Sequence, residues 1–125
     1  MKRKLDDDKP IFQQIKDQIE DSIINGAIKP DERVPSTNEF AQYYQINPAT
    51  AAKGINELVN ENILFKKRGV GMFVTGDARV LLVEKRKQHF FENYIVPLQD
   101  EAEKLQLSHE EVLEMIKKGA TRDAH

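Results

Sequence analysis

The sequence predicts a mainly α protein with one small β-hairpin and a short helical tail. Three observations carry the prediction. Ile11, Ile15, Ile19 and Ile23 recur every fourth residue, the spacing of one helix face. Two helix-start signatures follow, Ser36-Thr37-Asn38-Glu39 and Asn47-Pro48. The segment 63–75 then sets glycines and β-forming residues around Lys66-Lys67-Arg68, which a bundle of helices alone would not explain.

In chain order, Pro10 suits the first turn of a helix, where its missing N–H has no acceptor to lose. The isoleucine stripe, with Phe12 beside it, runs to about Asn25-Gly26, where glycine lets the backbone leave the helix. Ile28-Lys29-Pro30-Asp31 reads as a turn. The S-x-x-E pattern from Ser36 to Glu39 is a capping box. It opens a short helix that carries Phe40 and Tyr44 inward and ends near Gln45. Two residues later Asn47 is a good N-cap and Pro48 a good first helical residue. Ala51, Ile55, Leu58 and Val59 follow at helical spacing until Asn60-Glu61-Asn62 ends the helix. Ile63-Leu64-Phe65 and Met72-Phe73-Val74 are the strands of a hairpin closed by Lys66-Lys67-Arg68-Gly69-Val70-Gly71. Helix, short helix, tight turn, helix, hairpin is the order of a winged helix-turn-helix, assigned to residues 1–76.

Residues 77–125 change character. Val80, Val83, Phe90, Tyr94 and Leu98 fall at helical spacings, and Ala102 and Leu105 continue the stripe. Pro97 interrupts it, so a long helix kinked there is expected. Ser108-His109-Glu110-Glu111 is a second capping box, opening a last helix with Val112, Leu113 and Ile116 that Gly119 is expected to stop.

Composition narrows the function classes. Apolar residues make up 39% and charged residues 32% of 125, a soluble globular profile. No apolar run approaches the roughly 20 residues that span a bilayer, so no membrane partner is expected. Cysteine is absent, which removes disulfides, thiolate metal sites and thiol nucleophiles together. His89, His109 and His125 are scattered, so neither a metal site nor another cofactor is expected. No apolar stretch follows the charges of Met1-Lys2-Arg3-Lys4-Leu5-Asp6-Asp7-Asp8, so the N-terminus does not read as a signal peptide and the cytoplasm is the expected compartment. Residues 1–76 carry eleven Lys or Arg and eleven Asp or Glu, so any basic footprint must come from clustering, and Lys66-Lys67-Arg68 supplies it. No nucleophile–base pair or metal set marks an enzyme: Glu110, Glu111 and His109 lie together because they start a helix.

A recognition helix enters the DNA major groove N-terminus first. The exposed early positions here are Asn47, Pro48, Ala49, Thr50 and Lys53. Thr50 can meet a base edge or a phosphate, Ala49 a thymine methyl, and Lys53 a guanine or a phosphate. The plain alternative is that Asn47 and Pro48 only cap a helix. In the wing, Gly69 and Gly71 let the backbone approach the duplex while Lys66, Lys67 and Arg68 bring charge to phosphates or a minor groove. Its plain alternative is a solvated hairpin whose lysines protect a sheet edge. Ser36, with Thr37 and Asn38 behind it, starts the helix that would cross the backbone. Its hydroxyl and the neighbouring N–H groups either meet phosphate or serve only as a cap.

With these residues in place, the chain resembles the GntR family of bacterial regulators. Gly26-Ala27-Ile28-Lys29-Pro30-Asp31-Glu32-Arg33-Val34-Pro35-Ser36, Glu39-Phe40-Ala41 and Lys67-Arg68-Gly69-Val70-Gly71-Met72-Phe73-Val74 match that family's G-x(3)-P-G-x-x-L-P-S opening and G-x-G-x-F-V wing. Ile46-Asn47-Pro48-Ala49-Thr50 with Lys53, the start Lys9 to Ile15 and the short tail are similar to the YtrA-type subfamily. The sequence departs from the family pattern at Asn38, Pro48 and Ala52, where many members carry arginines, and at Ala49, where the subfamily usually has Asn. The resemblance implies an operator read differently. It also implies a repressor acting on its own operon, often one with ABC-transporter genes.

The tail is too short to enclose a pocket of the usual size, about 300–1,000 Å³. Its stripe, Val80, Val83, Phe90, Phe91, Tyr94 and Leu98, would be wet in a monomer, and a second copy would bury it. The alternative is that it packs on its own winged domain. A two-fold homodimer predicts a palindromic double-stranded DNA operator. An unknown small-molecule effector between the tails would touch His89, Phe91 and Tyr94, unless these are plain dimer-core aromatics. The competing reading is a winged-helix protein–protein interaction module without DNA binding, which the neutral charge of residues 1–76 fits.

Overall fold

The computed structural model describes residues 8–121; the N-terminal basic cluster Lys2-Arg3-Lys4 and His125 lie outside them. Helix α1 (Ile11–Ile24) starts after Pro10 and ends at Gly26, whose φ of 84° only glycine adopts without strain. Its isoleucine stripe behaves as the period requires: Ile15, Ile19 and Ile23 are buried, while Ile11 in the first turn is exposed. A two-residue strand β1 (Arg33–Val34) follows. Helix α2 (Thr37–Tyr44) buries Phe40 and Tyr44, and helix α3 (Pro48–Asn60) buries Ala51, Ile55 and Leu58. Strands β2 (Leu64–Lys67) and β3 (Gly71–Val74) form the hairpin. β1 pairs antiparallel with β3, so the sheet has three strands in the order β1-β3-β2. The third strand was not anticipated from sequence. Two residues give no alternation to read, and only the ladder from Asp31 N–H to the Val74 carbonyl (2.8 Å) and back to the Glu32 carbonyl (3.0 Å) reveals it.

The chain divides into two compact units between Lys85 and Arg86, within helix α4 (Ala78–Phe90). In the first unit, Ala78 and Leu82 of α4 are buried with Ile15, Phe40, Ile55, Leu58, Leu64 and Val74 in one apolar cluster. A chain of charges surrounds it. Lys16 is nearly buried and its ammonium bridges Glu57 and Glu61; Glu61 also meets Lys85 (3.3 Å), and Lys85 meets the buried Glu20 (2.7 Å). Burial alone would lower the Lys16 pKa, but the hydrogen bonds it donates to Glu61 and Glu57 outweigh it and hold the ammonium charged. α1, the end of α3 and the start of α4 are thereby joined. Arg79 adds a bond to the Ile24 carbonyl at the end of α1 (3.0 Å).

The second unit holds the rest of α4, a π-helical turn (Phe91–Ile95), helix α5 (Val96–Lys104) and helix α6 (His109–Thr121). The interruption falls one turn ahead of Pro97, for a reason visible in the covalent structure. Proline has no N–H for the carbonyl four residues back, and its ring crowds that carbonyl. Val96 N–H instead reaches the Phe91 carbonyl, five residues back, and the Asn93 amide donates to the His89 carbonyl at 3.0 Å. The second capping box forms as read, with Ser108 Oγ accepting from Glu111 N–H (3.1 Å) and Ser108 N–H donating to the Glu111 carboxylate (3.2 Å). Gly119 does not stop α6, which continues to Thr121. Glycine ends a helix only by taking a positive φ, and Gly119 is not among the residues that do; inside a helix it costs only about 1 kcal/mol.

Candidate nucleic-acid interface

The turn between α2 and α3 rests on two backbone features. Gln45 takes a left-handed φ of 54°, which costs a non-glycine residue about 1–2 kcal/mol. Offsetting this, Ile46 N–H bonds to the Ala41 carbonyl at 2.9 Å and the Ile46 side chain packs on the core. The Tyr44 hydroxyl donates to Gln18 and so fixes the end of α2 to α1. These contacts aim the first turn of α3.

That turn is capped by its own side chain. Asn47 Oδ1 accepts from Ala49 N–H at 2.8 Å, Pro48 has no N–H, and Thr50 N–H reaches the Asn47 carbonyl at 3.0 Å. A phosphate at this terminus would compete with the cap. At α2, Ser36 Oγ accepts from Glu39 N–H (3.1 Å) and Ser36 N–H donates to Glu39 Oε1 (2.9 Å). Helix geometry leaves the Thr37 and Asn38 N–H groups without intrahelical acceptors. The start of α2 therefore keeps two backbone donors that its own capping box does not use.

Asn47, Pro48, Ala49 and Lys53 are exposed and Thr50 is half-buried. The Lys53 ammonium sits 3.9 Å from the centroid of the Phe12 ring. Such a cation–π contact at an exposed position is worth about 0.5–1 kcal/mol, so the lysine can swing to an anion at small cost. In the wing, Phe65 and Phe73 stack across the strands at 5.8 Å, and the Lys67 ammonium lies 4.5 Å from the Phe73 ring. Lys67 thus rides on the aromatic pair, while Arg68 and Gly69 form the exposed tip. Gly69 has a φ of 77°, and Val70 N–H closes the turn on the Lys67 carbonyl at 2.9 Å.

Arg33 joins this surface although no sequence signal singled it out. Its guanidinium Nη2 donates to Glu39 Oε1 at 3.0 Å and its Nε approaches the Val70 carbonyl at 3.4 Å. The Ser36 backbone bond first, and Arg33 after it, hold the Glu39 carboxyl below its ordinary pKa. The missing signal was β1 itself, since only its pairing with β3 brings Arg33 over the wing.

In the second unit, Phe90 and Tyr94 pack at 5.7 Å between ring centroids and His89 meets Tyr94 at 6.2 Å, yet Phe90, Phe91 and Tyr94 stay at least half exposed. Leu98 is exposed as well. On α4, Val80 is 66% exposed and Val83 half-buried. A groove of about 530 Å³ between α5 and α6 is lined by Leu98, Ala102, Leu107, Val112, Leu113 and Ile116 among others. His89, Phe91 and Tyr94 are not among its lining residues.

A three-helix core with a three-residue capped turn, Gln45 to Asn47, and a glycine-tipped wing defines the first unit as a winged helix-turn-helix module. Residues 11–74 match the family described as bacterial regulatory proteins, gntR family, and the chain belongs to it. It is 36% identical over 75 residues to the HTH-type transcriptional repressor YtrA of Bacillus subtilis (strain 168), covering 60% of this chain and 58% of that protein. The chain spans between 18% and 58% of the length of the first curated relatives it matches. The structure of a GntR family transcriptional regulator from Listeria monocytogenes superimposes with a TM-score of 0.78 at 29% identity, covering 91% of this chain and 98% of that one. The crystal structure of AraR(DBD) in complex with operator ORX1 aligns with a TM-score of 0.52 at 34% identity, over 54% of this chain and 81% of that one. No helix among the described residues is long and apolar enough to cross a membrane.

Proposed function

We propose that this chain is a sequence-specific DNA-binding transcriptional regulator that represses its own operon as a homodimer. The observation that carries the reading is an exposed, side-chain-capped first turn of α3, set in the same module as a basic, glycine-tipped wing, in a member of a bacterial regulatory family. The likeness to a domain bound to its operator supports the same reading. In it, Asn47, Ala49, Thr50 and Lys53 face base edges, Ser36, Thr37 and Asn38 meet the phosphate backbone, and Lys67, Arg68, Gly69 and Gly71 enter beside the groove. Repression follows from occupying promoter DNA, which places the protein in the cytoplasm.

The homodimer is supported by the apolar surface that Phe90, Phe91, Tyr94 and Leu98 leave exposed, since a second copy would bury it. A two-fold pair then presents two α3 helices to a palindromic operator. A small molecule bound in the tail would release repression by changing their separation. The test is gel retardation of fragments from the region upstream of this protein's own gene, at two salt concentrations. Binding that resists competitor DNA, weakens with salt and weakens further in Lys53→Ala and Arg68→Ala is expected. A folded protein that binds no fragment at either salt would sink the proposal in favour of the protein–protein module.

A further inference from the structure

We infer, resting on the regulator reading, that Arg33 is a positioning residue that straps the wing tip to the start of α2. Its guanidinium spans two separate parts of the DNA-facing surface, with Nη2 on Glu39 Oε1 (3.0 Å) and Nε directed at the Val70 carbonyl (3.4 Å). The register explains the path. Arg33 stands opposite Phe73, so it lies diagonally across from Gly71 on the same face of the sheet. Gly71 leaves the path open: its φ is 144°, and a Cβ there would stand 2.8 Å from Arg33 Nε. The Glu39 oxygen that takes the guanidinium also accepts Ser36 N–H at 2.9 Å, so one atom both closes the capping box and anchors the strap.

A guanidinium suits this place because its rigid fork serves two acceptors at once, where an ammonium is a single point charge. At one end of the strap stand Ser36, Thr37 and Asn38; at the other stand Arg68 and Gly69. Both ends must meet the duplex together. Fixing their separation in the free protein spares that ordering when DNA binds. The bonds are solvent-exposed, so the expected gain is modest, about two- to fivefold in affinity for each DNA-reading head.

The experiment compares Arg33→Ala, Glu39→Gln and the double variant on DNA selected from a random-sequence pool by the unaltered protein. Amide hydrogen exchange at Arg68 to Gly71 is followed in parallel without DNA. Glutamine keeps an acceptor for the cap while removing the carboxylate charge. Each single variant weakens binding, the double variant is no weaker than Arg33→Ala alone, and exchange at the tip quickens in Arg33→Ala while that of α1 is unchanged. Tighter binding by Glu39→Gln, the result expected if Arg33 merely offsets a negative charge near DNA, would overturn the strap. So would additive losses, or an Arg33→Ala variant whose tip exchange does not move. If the unaltered protein selects no DNA, the regulator reading fails instead, and the exchange result alone decides whether the strap exists.

Discussion

Gly54 lies on α3 where that helix crosses α1, and the absence of its side chain is what lets the two approach. A Cβ at Gly54 would stand 2.6 Å from the Phe12 carbonyl oxygen, and that oxygen belongs to helix backbone that cannot swing aside. Two effects oppose each other in Gly54→Ala. Alanine gains about 1 kcal/mol of helix propensity. Overfilling a packed interface costs about 1–3 kcal/mol, and here relief requires parting two helices whose buried residues, Ile15 and Ile55, would lose contact. A clash with backbone belongs at the upper end of that range, leaving a net loss of about 2 kcal/mol. For a unit of this size that is a fall in melting temperature of roughly 8–15 °C, read by circular dichroism. Gly119→Ala is the matched control, because nothing lies within 4 Å of the added atom; it should be neutral or gain up to about 1 kcal/mol. A Gly54→Ala protein melting at or above the unaltered one would refute the argument that contact distance outweighs propensity here.

Three further outcomes follow from the structure. Asn47→Asp keeps an N-cap and adds a charge that a helix start favours, so stability should hold while DNA affinity falls at least about tenfold through repulsion from phosphate; an equal fall in melting temperature would mean that the cap alone was disturbed. Burial opposes ionisation of Glu61, but the Lys16 hydrogen bond and the charges of Lys85 and Lys16 prevail and hold its carboxyl below its ordinary 4.5. A depressed carboxyl stabilises the fold above its unfolded pKa, and that contribution is lost as pH falls through the folded value. Melting temperatures measured from about pH 6 to about pH 3 should therefore decline less steeply in Glu61→Gln than in the unaltered protein, and equal slopes would remove Glu61 from the acid response. Tyr94→Asp places a charge in the proposed dimer face and should shift sedimentation toward the monomer at equal concentration; an unchanged dimer would move the interface elsewhere.

The helices were legible because their signals are local. The isoleucine stripe of α1, the capping boxes at Ser36 and Ser108, and Asn47-Pro48 each state where a helix begins within a few residues of chain. The hairpin was legible from Gly69 and Gly71 between β-forming runs. What escaped depends on distant pairing. β1 is two residues long and exists through β3, and with it went the role of Arg33. Ala78 and Leu82, one helical turn apart, sit off the longer stripe through Val80, Val83 and Phe90, which drew the reading away from their burial in the first unit's core. Lys16 and Glu20 each follow an isoleucine of the stripe, and only the approach of Glu57, Glu61 and Lys85 makes their burial tolerable. Gly119 misled for a related reason, since a glycine stops a helix only when the chain beyond it turns away.

The most direct test of the regulator assignment is to select DNA from a random-sequence pool with the folded, full-length protein and to footprint what is enriched. The assignment predicts an inverted repeat whose half-sites lie about one helical turn, 10–10.5 base pairs, or a multiple of it apart, with affinity that falls as salt rises. A pool that returns no enriched sequence, or one bound equally well at all salt concentrations, would contradict it.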